Sequence, residues 1–466
     1  MSDTQKLHLY HTNDLHSNLD QWPKIIDYIK KQQMKHKTDN EVSICFDIGD
    51  HVDRFHPVTE GTEGRGNVDL MNDAGFLNAT IGNNEGITFS KKQLNELYDN
   101  ANFQVLVANL VDTDGNPPHW AKPYDIHTLQ NSLKVGVIGV TAPFTTYYEL
   151  LGWQILDPFK QIEKWSNQIR GQVDILILLS HLGLEADKRI ATESDQFDII
   201  LGSHTHHVLK NGLHQGKTTI GQAGKFGFNV GKMEIEWNKE HKEIQCVMAE
   251  CIDVQEHQPD NASEQKLFEL TENANQKLNE KVTVLDAPLE LEWFKPSPFS
   301  VLLSEAIREW CDAEIGMVNA GLLLEGLPTG PVTKSDLHRI CPHPINPCRL
   351  LLKGEFLKEM IQHALTDEME QYKIKGLGFR GKVMGKMIFD GVQVESKLLP
   401  DYEYHVQKIY VNGEPLDQKR MYSIGTVDMF TFGRLLPSVA YSEEKHYYLP
   451  EMLRDVLDWK LKSLKT

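Results

Sequence analysis

Apolar residues in the first half of the chain come in short runs, separated by segments with a different spacing. The runs Leu7 to His11, Val42 to Phe46, Phe76 to Ile81, Phe103 to Ala108, Leu133 to Val140, Val173 to Leu179 and Phe197 to Leu201 have the length and composition of buried strands. Between two of them Trp22, Ile25, Ile26 and Ile29 recur every three to four residues, the period of one helix face. A further helix is announced by Asp157 as N-cap and Pro158 at the first helical position, carries Phe159, Ile162, Trp165 and Ile169 on one face, and stops near Gly171. Strands alternating with helices predict an α/β layered domain. Lys217 to Trp237 reads as β-rich and completes its sheets.

From about Gln255 to Glu280 the composition turns polar. Asn261 followed by Glu264 suggests a capping box, and Leu267, Leu270, Ala274 and Leu278 keep helical spacing. The remainder mixes helices such as Phe299 to Trp310 with strands and Gly-rich turns, an α+β pattern. The expected organisation is a first domain over residues 1–255, a linking helix over 256–280 and a second domain over 281–466. A chain of 466 residues is too long for one ordinary core, which agrees.

Charge and cysteine content narrow the partners. A net charge of −18 argues against a nucleic acid polymer, whose binding needs a basic face, and leaves small phosphates held by metals open. Apolar runs such as Ile175 to Leu179 are too short to cross a bilayer, so no membrane partner is expected. The polar stretch Met1 to Lys6 does not read as an export signal. The six cysteines show neither Cys-x-x-Cys nor zinc-ribbon spacing. Free thiols and a cytoplasmic location are the expectation.

Chemistry enters through five islands, each just after an apolar run: Asn13-Asp14-Leu15-His16, Gly49-Asp50, Gly82-Asn83-Asn84-Glu85, Ser180-His181 and Gly202-Ser203-His204-Thr205-His206. In an open α/β sheet the turns after successive parallel strands converge on one crevice, so ligands remote in sequence can meet. Two divalent cations need a bridging carboxylate, imidazoles and further oxygens, with positions left for water and substrate. Asp50 is the natural bridge. Asp14, His16 and His206 would complete one shell, and Asn83, His181 and His204 the other. Mixed nitrogen and oxygen ligation suits Mn²⁺ or Zn²⁺, with Fe or Co also compatible.

The ordered series resembles the calcineurin-type metallophosphoesterases, and Leu9-Tyr10-His11-Thr12-Asn13-Asp14-Leu15-His16 is similar to the opening of the two-domain 5′-nucleotidase family. The resemblance implies a layered αββα-type phosphoesterase domain followed by a smaller α+β C-terminal nucleotidase-type domain that binds substrate. It also implies hydrolysis of phosphate from nucleotides or related small compounds, by in-line attack of a metal-bound hydroxide with the substrate between the domains. One departure stands out. The family's Gly-Asn island continues with His, which assists the leaving oxygen; here position 84 is Asn, and Gly86-Ile87 replaces an aromatic-acid pair. A carboxamide supplies no proton at neutral pH, and such acid help is typically worth 10²–10⁴-fold.

Three outcomes are open at Asn84. Another imidazole stands in, with His51, His207 and His119 as candidates; or the substrate is a phosphoanhydride such as a nucleoside diphosphate or nucleotide sugar, whose leaving group needs little acid; or a metal-dependent binding protein remains. A phosphodiesterase would use the same metals. Gly49-Asp50-His51-Val52-Asp53-Arg54 is also similar to the Gly-Asp-x-Val-Asp-Arg stretch of serine/threonine phosphatases, which makes Arg54 a candidate phosphate grip and leaves the partner of Asp53 open.

In the second half, Val318-Asn319-Ala320-Gly321 looks like the family's Asn-x-Gly segment, but Leu323 stands where relatives commonly carry a phosphate-binding Arg. Arg349 and Arg380 are the positive charges left for the substrate. Phe379 and Phe432, beside glycines, are the expected aromatic clamp for a base, stacking being worth about 1–3 kcal/mol.

Overall fold

The computed structural model describes residues 4–398, 404–433 and 435–464. The apolar runs of the first half become strands of two sheets. One has the order Glu243–Asp253, Asn229–Asn238, Thr4–Thr12, Val42–Asp47, Asn78–Ala79, Gln104–Leu106, Ala121–Lys122. Thr4–Thr12 is parallel to Val42–Asp47 and antiparallel to Asn229–Asn238, so the β-rich segment after residue 217 does close this sheet. The other has the order Leu213–Gln215, Thr218–Gly221, Ile199–Gly202, Ile175–His181, Lys134–Thr141, Tyr124–Thr128.

The two sheets share a core. Leu7, Leu9, Phe46 and Leu106 from the first pack with Val135, Val137, Ile175, Ile177, Leu179 and Leu201 from the second. Leu176 and Leu178 join a different cluster, with Ile162, Ile169, Leu184 and Ile190 of helices Pro158–Ile169 and Leu184–Glu193. Alternate residues of Ile175–His181 therefore meet different apolar layers, which is why the run is uninterrupted. Asp157 caps its helix as expected, accepting from the Phe159 and Lys160 N–H groups. Helix Trp22–Thr38 buries Trp22, Ile25, Ile26 and Ile29, with Tyr28 edge-on to Tyr10 of the first sheet at 6.0 Å. The layers are helix, sheet, sheet, helix. At one point the sheets touch through their backbones: a Cβ on Gly139 would lie 2.0 Å from the Leu106 carbonyl oxygen, so only glycine fits.

Helix Asn261–Leu278 begins one residue after its cap. The Ser263 N–H donates to Asp260 Oδ1 at 2.9 Å, so Asp260 does the work expected of Asn261. Its carboxylate is also fixed by Lys30 at 3.1 Å, which places the oxygen for the free N–H groups of the first turn. The chain divides within this helix into two compact units, Met1–Ala274 and Asn275–Thr466.

The second unit is α+β. Its main sheet has the order Met387–Asp390, Ile315–Asn319, Met421–Val427, Pro347–Lys353, Lys445–Tyr447. Helices Pro298–Trp310, Gly354–Ala364 and Leu453–Ser463 bury Leu303, Ile307, Leu357 and Leu457 in one core with Met317, Leu350 and Ile424. Among the described residues no helix is long and apolar enough to cross a membrane. The six cysteines are unpaired; Cys45, Cys311, Cys341 and Cys348 are buried, while Cys246 is exposed.

Candidate metal centre

Four islands follow strands Thr4–Thr12, Val42–Asp47, Asn78–Ala79 and Ile199–Gly202, the one after Asn78–Ala79 opening helix Asn83–Thr88, and in the fifth His181 is the last residue of Ile175–His181. They converge into two groups, Asp14 with His16 and His206, and Asp50 with His181 and His204; within each, one donor atom per residue lies within 4.8 Å of the others. Asp50 Oδ2 is 3.5 Å from His181 Nε2 in its own group and 3.8 Å from His16 Nε2 in the other. It is thus placed to be shared. His206 Nε2 lies 3.5 Å from Asp14 Oδ1 and 3.1 Å from His16 Nε2. Ligands about 2.0–2.2 Å from one ion sit roughly 3–3.5 Å from each other, so this spacing suits cations without large rearrangement.

Backbone conformation aims these side chains. Asp14, His16, Asp50, His204 and His206 have φ of 51°, 47°, 51°, 72° and 59°, the left-handed region that non-glycine residues seldom adopt. Neighbours hold them there. The Asp14 N–H donates to the Gly49 carbonyl at 3.0 Å and the His16 N–H to the Asp50 carbonyl at 2.8 Å, stitching two loops together. Gly82 must be glycine, because a Cβ there would meet Asp50 Oδ1 at 2.1 Å and His181 Cε1 at 2.5 Å.

Sequence reading missed the residues that grip these groups. Asn13 and Ser203 each donate to Asp14 Oδ2 at 2.8 Å, and Asn13 also donates to the Gly224 carbonyl at 2.7 Å. Glu85 accepts from the N–H groups of Asp50, Val52 and Gly82 at 2.9–3.0 Å. Asp187, buried, accepts from Ser180 at 2.5 Å and Gln222 at 2.9 Å behind His181. Three of these four residues lie in or beside the islands, and adjacency to a candidate ligand was the only signal available.

Within the centre the carboxylates are balanced by its own imidazoles. Burial pushes Asp14 upward, and His181 and His16 only partly offset it. Burial also opposes ionisation of Asp50, but His181, His16 and the Asn84 N–H outweigh it and hold that carboxyl below its ordinary value. In turn, burial would lower His181, and Asp50 with Asp14 overrides it, raising the imidazole to about 10. His16 is raised likewise, by Asp53, Asp50 and Asp14 against burial. His204 and His206 fall to about 4, first through burial and then through His181 and His16 respectively. Protons on His181 and His16 thus supply positive charge against the carboxylates.

Divalent cations fit the same residues. His181 Nδ1–H donates to the Ile48 carbonyl at 2.7 Å, fixing the tautomer, and its buried Nε2 has no hydrogen-bond partner. Asn83 Oδ1 is likewise buried without a partner. Both unmatched atoms belong to the second proposed shell, and a buried polar atom is left so only at a cost unless an ion completes it, which at His181 requires the Nε2 proton to leave. A third group, His8, His36 and Glu41, is different. Its two rings stack at 3.6 Å and 16°, so their in-plane lone pairs run parallel instead of converging on an ion. Glu41 meets His8 Nε2 at 2.7 Å and Tyr10 OH meets His36 Nε2 at 2.8 Å, a hydrogen-bonded network.

Several expectations need correcting. The His51 ring is buried edge-on against Trp22, 4.7 Å between centroids, and burial lowers it to about 3, so it carries no proton for a leaving group. Arg54 does not face the donor groups as a free phosphate grip. Its Nε and Nη2 donate to the two Glu60 oxygens at 2.8 and 3.0 Å, and Nη1 donates to the Thr88 carbonyl at 2.9 Å. His119 and His207 are exposed, with His207 Nδ1 2.9 Å from Thr205 Oγ1. Asn84 is buried and contacts His16: its Nδ2 is 2.9 Å from His16 Nδ1. Asp53, whose partner was open, has Oδ2 3.6 Å from the same nitrogen.

In the C-terminal unit the candidates separate. Phe379 is 5% exposed, stacked on His343 at 5.3 Å and 6° and packed in the hydrophobic core of this unit, a core side chain and not an open clamp. The Arg380 N–H donates to His343 Nδ1 at 2.9 Å. Arg349 lines a different cavity of about 610 Å³, with Lys445, His446 and Tyr448. Phe432 is half-buried.

Comparison with known proteins agrees with this architecture. The calcineurin-like phosphoesterase profile matches residues 7–208 and the 5′-nucleotidase C-terminal domain profile residues 279–433. An uncharacterized metallophosphoesterase of Bacillus subtilis, YunD, is 47% identical over 459 residues, covering 98% of this chain and 99% of that protein. An apyrase of Tabanus yao is 25% identical over 70% of this chain and 65% of its own. Among solved structures, the Haemophilus influenzae NAD nucleotidase superposes with a TM-score of 0.68 at 16% identity, over 99% of this chain and 97% of that one. A putative 5′-nucleotidase from Staphylococcus aureus gives 0.67 at 18% identity, over 98% and 96%. The chain therefore belongs to the family that joins a calcineurin-like phosphoesterase domain to a 5′-nucleotidase C-terminal domain, and it is a phosphoester hydrolase.

Proposed function

We propose that the protein hydrolyses phosphate from nucleotides or closely related small phosphate compounds, with Asp14, His16 and His206 holding one divalent cation, Asn83, His181 and His204 a second, and Asp50 shared by both. The observation that carries this reading is the position of Asp50 Oδ2, 3.5 Å from His181 Nε2 and 3.8 Å from His16 Nε2. When bound, two such ions supply Lewis acidity and lower the pKa of water. Mn²⁺ or Zn²⁺ suits the donor set. Around them Glu85, Asn13 and Ser203 keep the carboxylates in place, so little reorganisation is needed during reaction.

The leaving group decides the substrate class. Asn84 carries no proton to give at neutral pH, and the buried His51, lowered to about 3, has none either. Compounds that depart as stabilised phosphates, such as nucleoside diphosphates and nucleotide sugars, fit better than monophosphate esters of ribose. In the C-terminal unit Arg349, Arg380 and Phe432 are the proposed substrate-binding side chains, and Arg380 and Phe432 also hold other contacts. The chain's six unpaired cysteines fit action in a reducing, cytoplasmic compartment. The test is phosphate release by metal-stripped protein reloaded with Mn²⁺, across nucleoside monophosphates, diphosphates, nucleotide sugars and diesters, beside Asp50→Asn. Highest kcat/KM on anhydrides, absent in the variant, is the expected result. Higher kcat/KM on a monophosphate would reject the anhydride class, and on a diester would favour a phosphodiesterase. Silence with metal bound would favour a binding protein.

A further inference from the structure

We propose that Asn84 is a positioning residue that couples the two halves of the metal centre, and that it acts through His16 and Asn83, not on the substrate. The inference rests on the two-cation reading above. The Asn84 side chain lies between the two groups: its Nδ2 is 2.9 Å from His16 Nδ1, and its Oδ1 accepts from Asn83 Nδ2 at 3.2 Å. Its backbone N–H donates to Asp50 Oδ1 at 2.8 Å, and its carbonyl accepts from Thr88 Oγ1 at 2.5 Å. One residue therefore touches a proposed ligand of each shell and the carboxylate they share. It is 9% exposed.

The consequence follows from proton positions. A His that binds a cation through Nε2 carries its proton on Nδ1 and needs an acceptor there, the outer partner that orients metal-binding imidazoles. Two acceptors are within reach of His16 Nδ1: the carboxamide oxygen of Asn84, after its amide turns, and Asp53 Oδ2 at 3.6 Å. Asn83 also needs an acceptor for its Nδ2 when its buried Oδ1 is on an ion, and Asn84 Oδ1 provides it. A single carboxamide oxygen can face only one of these donors at a time, Asn83 Nδ2 as it stands or His16 Nδ1 once the amide turns, so filling one position alters the hydrogen bonding of the other. A carboxylate at position 84 would offer two oxygens and relieve that competition.

The deciding experiment is calorimetric titration of metal-stripped full-length protein with Mn²⁺, alongside steady-state kinetics at limiting and saturating Mn²⁺. Asn84→Ala is expected to weaken metal binding about 10–100-fold, the usual effect of removing an outer partner. Its kcat should recover to within a few-fold of wild type at saturating Mn²⁺. Asn84→Asp should restore wild-type metal affinity or exceed it. Unchanged metal affinity in Asn84→Ala, with a kcat deficit that persists at saturation, would overturn the proposal in favour of direct action on substrate. Equal weakening in both variants would also overturn it, since loss of packing and not of an acceptor would then be the cause. If the alanine variant does not fold, the aspartate variant decides: affinity at or above wild type supports the proposal, and weaker affinity rejects it. Asp50→Asn separates this result from the function itself, because it should remove activity at every Mn²⁺ concentration.

Discussion

The two units treat their polar residues in opposite ways. In the N-terminal unit, residues from five distant islands are drawn into one buried cluster whose atoms stay unmatched or share protons, as His181 Nε2 and Asn83 Oδ1 do. In the C-terminal unit, His343 is just as buried but fully matched: its Nε2 donates to the Leu322 carbonyl at 2.9 Å and its Nδ1 accepts from the Arg380 N–H. The difference separates a place built to receive charge from one built to stay folded. Burial alone does not distinguish them; the remaining valence does.

Substitution at the shared carboxylate should give the largest contrast. Asp50→Asn is expected to lower kcat by about 10³-fold or more, near 4 kcal/mol, with little loss of thermal stability in metal-free protein. Phe379→Ala should do the reverse, lowering stability by about 3–5 kcal/mol in a chemical denaturation curve while kcat/KM changes less than threefold. A large kcat/KM loss in Phe379→Ala without destabilisation would erase the contrast and return that ring to the substrate.

Acidity sharpens the comparison through two histidines. His181 is raised to about 10 and His16 is raised as well, so each must shed a proton to take a cation, and Mn²⁺ affinity should rise at least tenfold per pH unit between pH 6 and 8. Isothermal titration in buffers of different ionisation enthalpy would count the protons released. His343 is lowered to about 3 by burial. The unfolded chain then binds a proton that the folded one refuses, so His343 stabilises above the unfolded value near 6.5 and loses about 1.4 kcal/mol per pH unit below it. His343→Gln should flatten the pH dependence of unfolding between pH 6 and 4; an unchanged slope would show that His343 does not carry it. The smallest expected effect is Arg54→Lys, which keeps the charge but loses the fork on Glu60. It should cost about 1 kcal/mol of stability and less than threefold in kcat, whereas a hundredfold kcat loss would restore Arg54 to phosphate binding.

Much of this was legible in the residues. Strand and helix periods located the layers, because each face of Ile175–His181 and of helix Pro158–Ile169 is written in apolar spacing. The metal candidates were legible because ion coordination admits few side chains, and those recur after strands. Their supports were not, since Asn13, Ser203 and Glu85 are residue types that any turn employs. Arg54 was misread for a similar reason: the local stretch resembles a phosphate grip, but Glu60, in the helix that follows, answers it. Asp260 displaced Asn261 as cap because both fit the pattern and only the chain path chooses between them.

The five left-handed residues, Asp14, His16, Asp50, His204 and His206, carry a consequence for engineering. Each L-residue in that region costs roughly 1 kcal/mol relative to a relaxed backbone, a strain glycine would relieve. A stabilisation campaign scored on melting temperature alone would therefore drift towards glycine at these positions. It would return a more robust scaffold with an inert crevice. Durability and turnover compete for the same five peptide units, so a useful selection must be run with the cofactor ion present and hydrolysis as the readout.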